Sequence, residues 1–228
     1  MQGLNNRVFI IDPFGGSAIA IRRDIHGYYT GGMLRYAITS GNDAGSWEAN
    51  VSLARLWAFE GVDYVQLREK QLDAGELVQI ARAMVEVFRE EDTRTKLLVN
   101  ARADVAVAAG ADGVHLTSRP GELTAEQVRR VFASAGRKEP VVSASCHTLD
   151  DVRRAVAGDV DLVLFGPVFE KRDAGRVVVA GVGLEALQKA CVAAAGTPVL
   201  ALGGVTRANT ALCMEAGAAG VAGIRLFV

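Results

Sequence analysis

The sequence predicts an α/β fold, a (β/α)8 barrel that lacks its eighth helix, on three observations. Four similar segments, "GVDYV" from Gly61, "GADGV" from Gly110, "DVDLV" from Asp159 and "GAAGV" from Gly217, each end a helical pattern and open an apolar run. Their third residues, Asp63, Asp112, Asp161 and Ala219, lie 49, 49 and 58 positions apart, about twice the length of a βα unit. Between them fall four more β-rich runs, and the ends of the strands so defined are repeatedly polar. An open, doubly wound sheet is the alternative, but it leaves the recurrent polar strand ends unexplained.

The elements follow in order. Residues 1–32 read as an N-terminal extension of unassigned role, and the barrel as residues 33–228, with Met33 opening the first strand, "LRYAIT". Trp47, Trp57 and Phe59 belong to the first helix and are expected to pack. In the second strand, "GVDYVQLREK", alternation puts Val65 and Leu67 on an outer apolar face and Tyr64, Gln66, Arg68 and Lys70 on the inner one. "KLLVN" is the third strand, the Gly110 segment the fourth, "PVVSAS" the fifth, the Asp159 segment the sixth and "PVLALGG" the seventh. Capping-box spacings start three helices: Asp73 with Glu76, Thr124 with Gln127, and Thr148 with Asp151. "EKRDAGR" is expected to be a loop, and Thr206 the start of the seventh helix. The eighth strand, "GVAGIRLF", is followed only by Val228, leaving one side of the barrel to the extension, to a partner such as a second copy of the chain, or to chain beyond this sequence.

Composition narrows the class. A net charge of -1, from 25 basic and 26 acidic residues, argues against a nucleic-acid or membrane-surface partner. No apolar run of about 18 residues is present, and the arginines of "VFIIDPFGGSAIAIRRDIHGYYTGG" follow its apolar part, unlike a secretory signal. Cys146, Cys191 and Cys213 sit among small or apolar residues without metal spacing, as reduced cytoplasmic thiols do, and no metal-binding cluster is legible.

In a barrel of this kind the strand C-termini meet at one mouth. Here they bring Gln66, Arg68 and Lys70, then Asn100 and Arg102, Thr117 and Ser118, and Ser145 and His147. Arg68, Lys70 and Arg102 at one mouth call for an anion to offset their repulsion. Gly203 and Gly204, between a strand and a helix start, suit a phosphate. His115 reads as a packed, hydrogen-bonded strand residue; His147 reads equally as a mouth residue or as part of a helix cap.

Together "VQLREK", "LLVNARADVAVAAGADGVHL", "VSASCHT", "LFGPVF" and "ALGGVTRANTALCMEAGAAGVAGI" resemble the thiamine-phosphate synthase and thiazole tautomerase superfamily, from about Met33 to the last residue. The resemblance implies a TIM barrel that joins hydroxymethylpyrimidine diphosphate to thiazole phosphate, with Mg2+ assisting departure of pyrophosphate. It implies that Gln66, Arg68 and Lys70 hold the pyrimidine diphosphate, that Arg68 and Lys70 act as the catalytic cations, and that Asn100 and Ser145 complete the pocket. Gly203 and Gly204, with Ile224 nearby, match the thiazole-phosphate site, beside which Arg225 stands where the family has a small residue. The chain departs from the pattern at both magnesium positions, which are Ala101 and Pro120 here; Glu122 is the nearest acid, out of register. Slow or nearly metal-independent turnover is therefore expected. Two other readings are a tautomerase-like isomerase, although Pro167 stands where that branch has a histidine, and a phosphate-binding barrel without catalysis.

Overall fold

The structure is a computed structural model that describes residues 7–11, 18–22, 32–39, 41, 47–117, 119, 121–173 and 176–228. Ser118, Pro120 and most of the extension lie outside the described residues. Within the extension the backbones of β1 (Arg7–Ile11) and β2 (Ala18–Arg22) pair antiparallel.

From Leu34 onward, strand and helix alternate: β3 (Leu34–Ile38), α1 (Trp47–Phe59), β4 (Tyr64–Leu67), α2 (Ala74–Glu90), β5 (Lys96–Asn100), α3 (Ala103–Ala109), β6 (Gly113–Leu116), α4 (Ala125–Ser134), β7 (Val141–Cys146), α5 (Leu149–Ala157) and β8 (Leu162–Phe165). A hairpin of β9 (Lys171–Asp173) and β10 (Arg176–Val179) comes next, then α6 (Leu184–Ala193), β11 (Val199–Leu202), α7 (Thr210–Glu215) and β12 (Gly220–Gly223). Parallel pairing closes eight strands into a barrel in the order β11-β12-β3-β4-β5-β6-β7-β8. The predicted fold class holds, and the open sheet does not. Among the described residues, seven helices accompany the barrel and none follows β12.

Period-two alternation sorts the strands' side chains into two cores. Outward residues such as Val65, Leu67, Leu97, Val99 and Val163 pack against helical Leu77, Ile80, Met84 and Phe132. Inward residues, among them Tyr36, Leu98, Leu162, Leu164 and Leu200, fill the barrel itself. Gly113 is required by this closeness: a Cβ there would lie 1.8 Å from the Val141 carbonyl oxygen. All three expected capping boxes form, at Asp73, Thr124 and Thr148, each worth about 1 kcal/mol.

After β12 the chain tucks Leu226 and Phe227 into the outer core, where the Arg35 guanidinium lies 5.0 Å from the Phe227 ring centroid. The expectation that all three aromatics near α1 pack is corrected. Trp57 is buried, but Trp47 is half exposed and Phe59 almost fully so, because they lie at the helix ends. Within "EKRDAGR", expected to be a loop, Lys171–Asp173 form β9 and Arg176 opens β10. No helix of the described residues is long and apolar enough to cross a membrane.

Candidate active site

The barrel interior becomes polar toward its C-terminal mouth. Tyr36 Oη lies 3.0 Å from Ser143 Oγ. His115 bridges two serines, with Nδ1 2.8 Å from Ser143 Oγ and Nε2 2.9 Å from Ser145 Oγ. Burial, and secondarily the charge of Arg68, lowers the His115 pKa to about 3, so its ring is neutral at physiological pH. Burial also raises the Tyr36 phenol above its usual range. The expectation of a packed, hydrogen-bonded His115 is met. Next to this network, Gln66 Nε2 donates to Asn100 Oδ1 at 2.8 Å, while the buried Gln66 Oε1 has no partner.

Alternation fails just beyond β4. The strand ends at Leu67, and a turn at Lys70 and Gln71 swings Lys70 round beside Glu69. Both line a cleft of about 230 Å³ with Asn100, Ala101, Arg102, Thr117, Arg119 and Glu122, floored by Leu67, Leu72, Leu77 and Val99. Lys70 therefore does not simply share the inward face of Gln66. Arg68, acting through space, and then desolvation and Arg119 lower the Lys70 pKa, the signature of clustered cations. Arg102 is held by Asp104 at 2.6 Å. Arg68 lies outside the cleft lining, and its backbone N–H donates to Thr39 Oγ1 at 2.8 Å. Ala101, one of the two expected magnesium positions, lines the cleft with a left-handed backbone, φ 56°.

Counting round the barrel, β11 stands opposite β5 and β12 opposite β6, so Gly203, Gly204, Ile224 and Arg225 follow strands on the far side of the barrel from β5 and β6. Gly203 and Gly204 have φ of 90° and 65°, and Cβ atoms there would come within 2.6 Å of Pro167 and 2.7 Å of Phe169. The pair thus lets the segment after β8 pack closely, whatever else it binds. The seventh helix does not begin at Thr206. Asn209 Oδ1 takes the Thr206 N–H at 2.7 Å and Asn209 Nδ2 donates to the Gly204 carbonyl at 3.0 Å, delaying the helix to Thr210. Ile224 and Arg225 are exposed beyond β12.

His147 follows β7 and joins the cap of α5 through its backbone rather than its ring. Its ring Nδ1 lies 2.5 Å from the Gly166 carbonyl, and its backbone N–H joins the cap carboxylate of Asp151. The cysteines are free, and burial raises the Cys146 thiol to about 12 and the Cys191 thiol to about 11, as inert thiols. Sequence reasoning assigned no role to Glu69, Arg119, Tyr36 or Ser143. Only inward alternation could have pointed to Tyr36 and Ser143.

With this geometry in place, the comparisons decide the family. The sequence model described as thiamine monophosphate synthase matches residues 35–227. The chain belongs to that family. Among its relatives, the thiamine-phosphate synthase of Methanoculleus marisnigri is 38% identical over 196 residues, 85% of this chain and 86% of that protein. That of Methanoregula boonei is 35% identical over 196 residues, 85% of this chain and 84% of that one. The thiamine phosphate pyrophosphorylase structure from Pyrococcus furiosus superposes with a TM-score of 0.68 at 27% identity, covering 84% of this chain and 85% of that one. Membership in the thiamine monophosphate synthase family supports a transferase of thiamine biosynthesis.

Proposed function

We propose that the chain condenses hydroxymethylpyrimidine diphosphate with thiazole phosphate to give thiamine phosphate and pyrophosphate. The observation that carries this reading is the cleft, where Lys70, Arg102 and Arg119 gather beside the Gln66–Asn100 pair at the barrel mouth. Their positive charge suits a diphosphate, and the unpartnered Gln66 Oε1 suits a donor on the pyrimidine, such as its amino group. Gly203, Gly204, Ile224 and Arg225, across the mouth, suit the thiazole monophosphate.

The reaction follows from those charges. The bond between the pyrimidine methylene carbon and the diphosphate oxygen breaks, its electron pair leaving with oxygen. The resulting carbocation is stabilised by the electron-rich ring, and the thiazole nitrogen lone pair closes the new C–N bond. Lys70, Arg102 and Arg119 lower the barrier by countering charge that builds on the leaving group. His115, neutral and occupied by two serines, positions Ser145 rather than carrying a proton. A divalent cation fits the cleft because Glu69 Oε1 and Glu122 Oε2 are buried and unpartnered. When bound, such a cation neutralises the departing diphosphate.

The test is pyrophosphate release from the pyrimidine diphosphate, followed with and without thiazole phosphate. Release matched mole for mole by thiamine phosphate supports the reading. Folded protein that gives no thiamine phosphate from the two precursors contradicts it.

A further inference from the structure

Two carboxylate residues line the cleft, and each has a buried oxygen that no protein group satisfies. Glu69 is only 3% exposed; its Oε2 accepts from Gln71 Nε2 at 3.0 Å, while Oε1 has no partner. Glu122 Oε1 accepts the Thr117 hydroxyl, and its Oε2 is buried without a partner. Both residues line the same cleft as Lys70, Arg102 and Arg119. Were these carboxylates mere counter-ions, those cations should pair with them. Among the described ion pairs Arg102 goes instead to Asp104, and neither Glu69 nor Glu122 is engaged.

A buried carboxylate oxygen without a partner loses its hydration and regains nothing, unless a ligand completes it. Two hard oxygens of this kind suit a small divalent cation, which binds through one or two carboxylates and fills its remaining positions with phosphate oxygens and water. Among the described residues no group of three His, Cys, Asp or Glu side chains could hold a metal, so the protein by itself offers an incomplete shell. The diphosphate must supply the rest.

We infer that Glu69 and Glu122 provide the protein oxygens for a divalent cation bound together with the diphosphate, in place of carboxylates absent from positions 101 and 120. The inference rests on the synthase reading for the diphosphate, and it replaces the expectation of nearly metal-independent turnover. It has a thermodynamic signature: cation and diphosphate raise each other's affinity by the same factor.

Equilibrium dialysis of the full chain against labelled inorganic pyrophosphate, with Mn2+ or with chelator, reads that coupling without turnover. Wild type should retain one Mn2+ with each pyrophosphate and bind pyrophosphate more tightly when the metal is present. Glu122→Gln and Glu69→Gln should keep metal-free pyrophosphate binding, since the cations are intact, and lose the metal-dependent gain by about tenfold or more. Glu122 is partly buried in the short loop before α4, outside the strands and helices, so its variant serves even if Glu69→Gln fails to fold. A gain unchanged within about twofold in Glu122→Gln, or no gain in wild type, overturns the inference. The synthase reading fails on a different readout, the absence of thiamine phosphate from both precursors.

Discussion

Gln66 and Asn100 are joined by a 2.8 Å hydrogen bond between the ends of neighbouring strands, which fixes the Gln66 amide and leaves its Oε1 free in a buried position. The amide is thereby oriented before any ligand arrives. Asn100→Ala should release it, lowering kcat/KM for the pyrimidine diphosphate by about 10–100-fold, the cost of one or two buried hydrogen bonds. Steady-state kinetics and a melting curve check this together. A large loss of melting temperature with unchanged kinetics would show the pair to be purely structural.

The buried His115 makes stability depend on pH. Its native pKa, about 3, lies below the ordinary 6.5, so between those values the unfolded chain binds more protons than the folded one. The contribution is fully present above about pH 6.5 and is lost as pH falls, amounting to ~2 kcal/mol by about pH 5. Urea unfolding at neutral and acid pH should show this loss in wild type and a flatter dependence in His115→Gln. Equal slopes would place the cause elsewhere.

The barrel was legible because its signals are local. The repeated segments from Gly61, Gly110, Asp159 and Gly217 each carry a helix end and a strand start, and Asp73, Thr124 and Thr148 cap through residues three positions away. Side-chain placement held as far as the strand did, with Val65 and Leu67 outward and Gln66 inward. What stayed hidden depends on distant or competing partners. Tyr36 meets Ser143 107 positions away, a contact made only by barrel closure. Asn209 captures the Thr206 N–H and moves a helix start, a choice that Thr206 alone does not signal. Glu69 sits on the Leu67 side of the chain, where alternation expects an apolar residue, and its burial becomes meaningful only beside Glu122.

Ala101 holds a left-handed backbone, φ 56°, with its side chain exposed at the cleft. Asn and Asp tolerate that region better than Ala, by ~1 kcal/mol. Ala101→Asn should therefore raise stability by up to that amount, and Ala101→Asp should add a third carboxylate to the cleft and tighten Mn2+ binding in the presence of pyrophosphate. Chemical denaturation and the dialysis measurement check the two effects separately.

The most direct test of the synthase reading is the initial rate of thiamine phosphate formation from both phosphorylated precursors, with and without Mg2+, in wild type and Lys70→Ala. The expected result is Mg2+-stimulated product from wild type and at least about a hundredfold loss in Lys70→Ala, because a cation beside the leaving diphosphate is removed. Product formed equally fast by both proteins, or none formed by folded wild type with Mg2+ present, would contradict the diphosphate cleft as the centre of catalysis.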